Sequence, residues 1–479
     1  MNLFKLLKNV DHTIIQGEDR EIAHLSIDSR NLRKDTLFTC ISGFRADGHS
    51  FAREAAKGGA VAFITEKDIP PVEGVTVIKV ENSRLALSYI AADFYNNPEK
   101  KMSYLGVTGT NGKTSTTYYL QRSLIEWGKK TGLIGTVETK INNSPVNIDF
   151  ATSTTPDSIE LMQILDYMAK RQVSHTVMEV TSHGLALHKV APIEFDVSIF
   201  TNLTQDHLDL HGTMENYRDA KAKLFAQSKA SVINIDDPYG EFMLKKSNKS
   251  ITYSLEKDSD IKAENISYSP KGVSFSVKLR DNSYDFSLPI PGKFSVYNSL
   301  GVIGAGILLD IPVEIIQKAL ANLAVVPGRV ESVPNTKGLN VIVDYAHTPD
   351  SLRSIITAAR DFTPGKVITV FGCGGDRDKA KRPLMGKVSS ELSDFTVLTS
   401  DNPRTEEPLS IIEDISAGMS GAYEKITDRK DAIEYAIKMA TSADTVIIAG
   451  KGHENYQIFK EQTIVFDDVE TAQKIIEKN

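Results

Sequence analysis

Short apolar runs separated by turn-forming residues dominate the first 97 positions. Residues 60–64 and 75–80 have the composition of buried strands, and Gly, Pro and Asp punctuate the segments around them. Asn96-Asn97-Pro98 then interrupts the pattern. We therefore predict a small α/β domain over residues 1–97.

After residue 98, strand-like runs alternate with helical stretches. Residues 104–108 are predicted to form a strand that leads into a glycine-rich turn, with a helix beginning near Lys113. Further strand-like runs occupy residues 175–180, 197–202 and 230–235. This alternation is typical of a parallel sheet with helices on both faces, so we predict a central, doubly wound domain over residues 98–328.

The alternation begins again after the turn Pro327-Gly328-Arg329. Strands are predicted at residues 340–344, 366–371, 395–399 and 445–449, each followed by a helical stretch. This pattern predicts a C-terminal Rossmann-like α/β domain over residues 329–479. The sequence thus indicates an α/β protein of three domains, without a short-period repeat or a low-complexity linker.

Composition and charge narrow the classes of function. With 479 residues, 41% hydrophobic and 24% charged, the chain resembles a globular protein large enough for several cores, and its net charge of −7 disfavours a nucleic-acid partner. Cys40 and Cys373 lie far apart, which favours a reducing cytoplasm over a disulfide framework. No signal-peptide pattern and no run of about 18 apolar residues is present, so we expect no membrane insertion.

The glycine-rich turn carries the first chemical signal. Gly109-Thr110-Asn111-Gly112-Lys113-Thr114-Ser115 lies between a predicted strand and helix, where backbone N–H groups and the helix dipole bind phosphate oxygens. Lys113 can reach the β- and γ-phosphates of a nucleotide, and the Thr114 hydroxyl can ligate magnesium. Val107 stands where the general P-loop pattern has its first glycine. We predict ATP as the ligand, but the loop alone does not separate a kinase, a GTPase and a ligase.

Further motifs separate these classes. In order and spacing they resemble the Mur ligase family, and the resemblance covers essentially the whole chain. After the phosphate loop, the motifs are Met178-Glu179-Val180-Thr181-Ser182-His183, Thr201-Asn202-Leu203-Thr204-Gln205-Asp206-His207-Leu208-Asp209, Asp219-Ala220-Lys221, Tyr297-Asn298, Pro327-Gly328-Arg329-Val330-Glu331, Asp344-Tyr345-Ala346-His347-Thr348-Pro349-Asp350, Gly374-Gly375-Asp376-Arg377-Asp378, Asp401-Asn402-Pro403-Arg404 and Gly450-Lys451-Gly452-His453-Glu454.

The resemblance implies an ADP-forming ligase of peptidoglycan precursor synthesis. Such enzymes phosphorylate a carboxylate with ATP, and the incoming amine then attacks the acyl phosphate. The C-terminal motifs resemble the branch that adds meso-diaminopimelate to UDP-N-acetylmuramoyl-L-alanyl-D-glutamate. We therefore expect these two small molecules and ATP as substrates, Mg²⁺ as cofactor, and a monomeric cytoplasmic enzyme.

The resemblance also assigns the nucleotide and metal residues. Lys113, Glu179, His207 and Lys221 are implied to be catalytic, and Glu179, His207 and Lys221 to hold magnesium together with Thr114. Lys221 would do so as a CO2-derived carbamate, because a lysine ammonium cannot ligate a cation. From the sequence alone, a solvated helix lysine like Lys223 is the simpler interpretation. Asn298, Arg329 and Asp344 match nucleotide-contacting positions, although Arg329 could also serve only as a contact at a domain boundary.

Two groups of residues match substrate-binding positions of the family. For the muramoyl-dipeptide acceptor these are Ser29, Thr154, Thr155, Thr181 and Lys189. Thr181 and Lys189 depart from the family pattern, where serine and arginine are more usual, and a lysine supplies a point charge in place of a forked donor.

At the amino-acid end, Asp401-Asn402-Pro403-Arg404 is the form associated with diaminopimelate. Arg404 would clamp the distal carboxylate. Arg377 is expected at the other carboxylate, while Gly450 and Glu454 would receive the distal ammonium.

Three alternatives remain open at this point. Folylpolyglutamate synthase shares the ATP chemistry but lacks a uridine-nucleotide-binding domain such as residues 1–97 would supply. A paralogue could use L-lysine, another amino acid or another nucleotide-linked acceptor. A nucleotide-binding regulator without catalysis is disfavoured by the complete set of Lys113, Glu179, His207 and Lys221.

Overall fold

The computed structural model describes residues 1–43, 46–146, 154–269, 272–280 and 282–478. Phe44 and Arg45, in a stretch resembling the family's uridine-nucleotide-binding segments, and Ser153, which precedes Thr154, lie outside these ranges. Within the described ranges the fold is mixed α/β with three sheet-containing domains, which confirms the predicted class.

The N-terminal sheet has the strand order β1-β5-β4-β3-β2, in which β2 to β5 are parallel and β1 is antiparallel to β5. Apolar clusters bury both faces of this sheet, which explains the near-continuous apolar run of β4. Its elements are α1 (Leu3–Leu6), β1 (Thr13–Gln16), β2 (His24–Ser26), β3 (Thr36–Thr39), α2 (Ala52–Lys57), β4 (Ala60–Thr65), β5 (Thr76–Lys79) and α3 (Ser83–Phe94).

The central sheet has the order β16-β15-β14-β13-β12-β11-β6-β10-β7-β8-β9. Its elements are β6 (Ser103–Thr108), α4 (Lys113–Glu126), β7 (Thr131–Ile134), β8 (Thr139–Ile141), β9 (Ser144–Pro145), α5 (Ser158–Lys170), β10 (His175–Glu179), α6 (Ser182–Ala186), β11 (Phe195–Phe200), α7 (Leu208–His211), α8 (Met214–Ala226), β12 (Ser228–Asn234), α9 (Gly240–Lys245), β13 (Ser250–Ser254), β14 (Ile261–Ser269), β15 (Gly272–Leu279), β16 (Asn282–Leu288), α10 (Lys293–Leu308) and α11 (Val313–Ala321).

The C-terminal sheet has the order β17-β18-β22-β19-β20-β21, with β18, β22, β19, β20 and β21 parallel. Apolar clusters cover both of its faces, as a Rossmann-like layer requires. Its elements are β17 (Glu331–Ser332), β18 (Asn340–Asp344), α12 (Pro349–Arg360), β19 (Val367–Phe371), α13 (Lys381–Leu392), β20 (Phe395–Leu398), α14 (Pro408–Ser416), β21 (Tyr423–Lys425), α15 (Arg429–Met439), β22 (Thr445–Ala449), the separate hairpin of β23 (Tyr456–Ile458) and β24 (Thr463–Val465), and α16 (Asp468–Lys478).

By backbone contacts the chain divides into two compact units. The first comprises Met1–Gly106, Lys129–Val197 and Ala220–Lys229, and the second comprises Val107–Gly128, Ser198–Asp219 and Ala230–Asn479. The first unit contains the N-terminal sheet and strands β7 to β10, whereas the second contains the glycine-rich loop and the C-terminal sheet. Among the described residues, no helix is long and apolar enough to cross a membrane.

Candidate functional site

The glycine-rich loop has the geometry that a phosphate site requires. It joins the buried strand β6 to α4, which begins at Lys113. Gly109 and Gly112 have φ of +155° and +84°. A Cβ on Gly109 would lie 1.8 Å from Thr201 Oγ1, and one on Gly112 would lie 2.5 Å from Asn298 Oδ1. Both positions therefore need glycine for backbone conformation and for close approach.

Side chains hold this loop in place from several directions. Lys113 Nζ donates to Gly109 O and Thr110 O at 3.0 and 2.8 Å, so the ammonium lies over the loop. Asn111 N donates to Asn202 Oδ1 at 2.9 Å, and Asn111 Nδ2 donates to Asp350 Oδ2 at 2.9 Å. The loop is thus fixed before a nucleotide arrives, which lowers the entropic cost of binding.

Arg329 reaches the loop in the structure. Its guanidinium donates to Thr114 Oγ1 at 3.1 Å and stacks on the ring of Tyr345, with 4.4 Å from Cζ to the ring centroid. Arg329 therefore contacts Thr114 of the phosphate loop, and its role in nucleotide binding stays a prediction.

Asp344, the next predicted nucleotide residue, orients the segment that carries Arg329. Its carboxylate accepts from the N–H groups of Val330 and Ala346, both at 2.8 Å. Desolvation raises the pKa of Asp344 above its usual range, although the charge of Arg329 and the two N–H groups oppose that shift. Val330 has φ of +47°, a left-handed conformation that is rare for a β-branched residue, so the surrounding contacts must stabilise this turn.

His207 lies where α7 begins, with φ of +54° and a side chain that is 44% exposed. Its Nε2 is 3.5 Å from Asp206 Oδ2, and His347 Nε2 is 3.8 Å from the same oxygen. Burial alone would raise the pKa of Asp206, but the hydrogen bond from His347 and the charges of His207, His347 and Lys381 lower it below its usual range. Asp206 is therefore an anion beside His207 at neutral pH.

In the first unit, Glu179 is the last residue of β10 and is 1% exposed. Its two carboxylate oxygens accept from Thr136 N and Thr136 Oγ1, at 2.9 and 3.0 Å. Thr136 Oγ1 also lies 2.8 Å from Thr154 Oγ1. One threonine thus orients the carboxylate predicted to bind magnesium and connects it to a residue predicted to bind the acceptor.

Lys221 is buried, contrary to the simpler sequence interpretation of a solvated helix lysine. It is 1% exposed on α8, whereas Lys223 two positions later is exposed. Successive helical positions differ by about 100° in direction, so residues two apart face different surroundings. A lysine held inside a protein requires either paired charge or an altered protonation state, and both are typical of functional lysines.

The four acceptor-binding candidates near Glu179 lie together. Thr155 Oγ1 donates to Glu179 O at 3.0 Å, and Thr181 N and Thr181 Oγ1 both lie 3.0 Å from Thr155 Oγ1. Lys189 Nζ donates to Thr155 O at 3.2 Å and forms an ion pair with Asp157 at 2.7 Å. With Thr154, these side chains form one polar network at the carboxyl end of β10.

Ser29 begins a 3₁₀ turn in the N-terminal sheet region and is half-buried. Asp28 caps this turn, and its ion pair and backbone hydrogen bond with Arg30 lower the pKa of Asp28 to about 2. No contact among the described residues assigns Ser29 a ligand, so its role stays a prediction.

Most of the C-terminal candidates lie on two loops, one after β20 and the other after β22, and Arg377 lies on a third loop after β19. Arg404 Nη1 donates to Gly375 O and Asn402 O at 2.9 and 3.4 Å, and the arginine has φ of +53°. Asn402 Nδ2 donates to Glu454 Oε2 at 2.7 Å. A Cβ on Gly450 would lie 2.6 Å from Asp401 Oδ2, so these two loops pack closely.

Arg377 and Pro403 complete this C-terminal group. Arg377 is exposed, and its Cγ is 3.7 Å from where a Cβ on Gly374 would lie. Pro403 is buried, and its carbonyl oxygen lies against Gly375. The loops thus bring the Arg404 guanidinium near the carboxylates of Asp401 and Glu454, while the Arg377 side chain is exposed at their edge.

The arrangement matches known protein families along the chain. The model described as the Mur ligase family catalytic domain matches residues 21–95, that of the Mur ligase middle domain matches residues 107–306, and that of the Mur ligase glutamate ligase domain matches residues 328–452. The chain belongs to the Mur ligase family. Members are ATP-dependent, ADP-forming ligases that use Mg²⁺, so this Mur ligase is an enzyme of that class.

Full-length relatives agree with the family match. This Mur ligase is 45% identical over 485 residues to the UDP-N-acetylmuramoyl-L-alanyl-D-glutamate–2,6-diaminopimelate ligase of Clostridium botulinum, with 100% of each chain covered. It is 46% identical over 486 residues to the protein of that name from Clostridium tetani, again over 100% of both chains. A solved structure of a ligase of the same name is 30% identical, has a TM-score of 0.68 and covers 95% of both chains. Since these matches include residues 1–97, they disfavour a folylpolyglutamate synthase.

Sequence reasoning assigned no role to Thr136, Tyr345 and Lys451 of this Mur ligase. Tyr345 and Lys451 lie inside motifs that the sequence analysis recognised, so their positions could have identified them as candidate site residues. Thr136 lies in a turn after β7 without a motif, and only the structure connects it to Glu179. In the described part of the chain no three His, Cys, Asp or Glu side chains form a metal cluster.

Proposed function

We propose that this Mur ligase joins meso-diaminopimelate to UDP-N-acetylmuramoyl-L-alanyl-D-glutamate in peptidoglycan precursor synthesis, with conversion of ATP to ADP and phosphate. The identity of 45–46% over the full length to ligases named for this reaction carries the proposal. The motif Asp401-Asn402-Pro403-Arg404 supports the same amino acid.

The reaction we propose has two steps. The acceptor carboxylate first attacks the γ-phosphorus of ATP, which forms an acyl phosphate and releases ADP. The amine of diaminopimelate then attacks the carbonyl carbon, the amine loses a proton, and phosphate leaves. Lys113 stabilises charge on the transferring phosphoryl group, while the backbone from Gly109 to Ser115 and the helix dipole of α4 hold the phosphates. Arg329, Asn298 and Asp344 shape the nucleotide side of this site.

The residues present suit hard, oxygen-preferring magnesium. When bound, Mg²⁺ neutralises phosphate oxygens. We assign Thr114, Glu179, His207 and carbamylated Lys221 as the residues that hold it. The burial of Glu179 and Lys221 supports this, because buried ionisable groups are common at functional sites as well as in structural ion pairs.

Carbamylation of Lys221 forms a bond between neutral Nζ and the carbon of CO2 and releases a proton. The product is an anion, which turns a side chain that would repel magnesium into one that binds it. The 1% exposure of Lys221, in contrast to the exposed Lys223, supports the assignment of this lysine.

For the acceptor, we propose that Ser29 contacts the uridine nucleotide and that Thr154, Thr155, Thr181 and Lys189 contact the muramoyl-dipeptide. The polar network that joins the last four to Glu179 supports this grouping. Asp157 holds the Lys189 ammonium in one place, which compensates in part for the absence of a forked guanidinium.

For the amino acid, we propose that Arg404 binds the distal carboxylate and Arg377 the other carboxylate, while Gly450 and Glu454 bind the distal ammonium. Asp401, Asn402 and Pro403 fix the loop that carries Arg404. We further propose domain limits at residues 1–97, 98–328 and 329–479, with uridine-nucleotide, ATP and amino-acid binding respectively, and a monomeric cytoplasmic enzyme.

Release of ADP tests the proposed function. We expect sustained release over many turnovers to require the muramoyl-dipeptide acceptor and meso-diaminopimelate together, in addition to ATP and magnesium, and to allow at most one ADP per enzyme when diaminopimelate is omitted. Binding of nucleotide with no ADP release under any combination would instead identify a regulator without catalysis.

A further inference from the structure

The ammonium of Lys451 is fully buried between the two loops that carry the amino-acid-binding candidates. Lys451 follows Gly450 and is 0% exposed. Its Nζ donates to Glu454 Oε2 at 3.1 Å, to Asn402 Oδ1 at 3.3 Å and to the carbonyl oxygen of Tyr456. A lysine ammonium has three N–H donors, and each of them therefore has an acceptor here.

These contacts fix the orientation of the Glu454 carboxylate. Glu454 Oε2 accepts from both Lys451 Nζ and Asn402 Nδ2, the latter at 2.7 Å. Asn402 is fixed in turn, because its Oδ1 also accepts from Ile458 N at 2.9 Å. Within the described ranges, Glu454 Oε1 has no hydrogen-bond partner, so one oxygen of an otherwise fixed carboxylate is left to receive a donor.

The positive charge of Lys451 also reduces the repulsion between two nearby carboxylates. Asp401, which is 8% exposed, and Glu454 belong to this one small group, and two neighbouring carboxylates repel each other where water is scarce. The buried ammonium offsets one of these charges. Arg429 also interacts electrostatically with both carboxylates, so these cations together balance the negative charge of Asp401 and Glu454.

We propose that Lys451 is a positioning residue for amino-acid selection: it fixes Glu454 through Oε2, so that Oε1 receives the distal ammonium of the incoming amino acid. This inference rests on the proposed function, because it concerns the diaminopimelate site. Lys451 acts through Glu454 and Asn402 and does not itself contact the substrate.

Replacement of Lys451 by Met tests the inference, because Met keeps the length of the side chain and removes its charge and donors. The KM for meso-diaminopimelate should rise roughly tenfold to hundredfold, as expected when charged hydrogen bonds are lost. The KM for ATP should stay within about twofold, since the phosphate loop is untouched. Lys438→Met is the matched control: Lys438 forms an exposed ion pair with Glu434, and this variant should keep both KM values.

A double-mutant cycle separates positioning from general stability. If Lys451 acts through Glu454, then Lys451→Met should change the KM for diaminopimelate far less in a Glu454→Gln background than in the wild type. Additive effects, or parallel rises in the KM values for ATP and diaminopimelate, would show that Lys451 only supports the fold. If the Met variant does not fold, Lys451→Gln, which keeps two N–H donors, replaces it in the same comparison. The expected rise in the KM for diaminopimelate is then smaller.

The wild type supplies the reference for both claims. No product from wild type and diaminopimelate would overturn the proposed function and this inference with it. An active wild type together with an unchanged KM for diaminopimelate in Lys451→Met would overturn the inference alone.

Discussion

Two lysines on α8 are chemically identical but differ in burial and in the role predicted for them. Lys221 is 1% exposed and Lys223 is exposed, although both follow the same polar helix pattern. Sequence periodicity predicted the helix but not which lysine turns inward, because burial depends on what the helix packs against. The family resemblance points to Lys221, which is the buried lysine of the two, and its role as a carbamate stays a prediction.

Lys221→Ala should abolish nearly all ligase activity, because no carbamate can form at position 221. Thermal unfolding should show that the variant folds, and short carboxylic acids should restore part of the activity by supplying an anion. Lys223→Ala on the same helix should keep activity close to that of the wild type. Full activity in Lys221→Ala would refute the assigned role.

Arg404→Ala should damage use of diaminopimelate much more than binding of ATP. Truncating one partner of a desolvated charge pair costs on the order of 2 to 5 kcal/mol, and the half-buried position of Arg404 places it near the lower limit, roughly thirtyfold in kcat/KM. Steady-state kinetics with each substrate varied in turn would measure this. The variant should be poor with L-lysine as well, because no acceptor for the terminal ammonium of lysine has been added.

Motifs in the sequence indicated most of the candidate site residues, but they did not indicate the residues that orient those side chains. Glu179 was assigned by the family resemblance within a strand predicted over residues 175–180, and β10 ends at Glu179. Thr136, which holds both of its oxygens, belongs to a different loop, and no spacing in the sequence connects the two. Such contacts arise from the tertiary fold alone.

At the scale of elements, every strand predicted from the sequence is present, but the fully buried strands β3 and β7 were not predicted. The predicted strands at residues 340–344 and 445–449 coincide with β18 and β22, and the other predicted strands differ from the observed ones by one or two residues at their ends. The antiparallel strands β14, β15 and β16 were not predicted. Much of β14 is exposed, so the chain there lacks the apolar run that marks a buried strand.

The helices of the C-terminal sheet depend on a buried ion pair that has no sequence signature. Arg429, the first residue of α15, donates to both carboxylate oxygens of Asp468 at 2.8 and 2.7 Å, and Asp468 begins α16. Both side chains are 0% exposed. Arg429 also donates to Ala449 O at the end of β22, at 3.0 Å.

Arg429→Ala should therefore lower the free energy of unfolding by about 3 to 5 kcal/mol, since it leaves a buried carboxylate without its partner. Arg353→Ala is the control, because the pair of Arg353 and Glu391 is exposed and such pairs contribute about 0 to 1 kcal/mol. Chemical denaturation of both variants measures the difference. Equal stabilities would show that solvent or a rearranged side chain compensates for the lost pair.

At the scale of the whole molecule, the alternation of strands and helices predicted the fold class, and the three sheets with their apolar layers confirm it. Periodicity predicted neither strand order nor the long central sheet, because these depend on pairings between distant segments. Periodicity also does not predict the amino-acid substrate. That proposal depends on a few motif residues in the C-terminal loops.

The choice between diaminopimelate and L-lysine tests the central claim most directly. The enzyme is incubated with ATP, magnesium and UDP-N-acetylmuramoyl-L-alanyl-D-glutamate and one of the two amino acids, and the product mass and kcat/KM are measured for each. We predict a product heavier by one diaminopimelate residue, with lysine used on the order of 100-fold less efficiently or worse, because lysine lacks the carboxylate that Arg404 binds. Equal use of lysine, or a product with lysine alone, would contradict the substrate assignment.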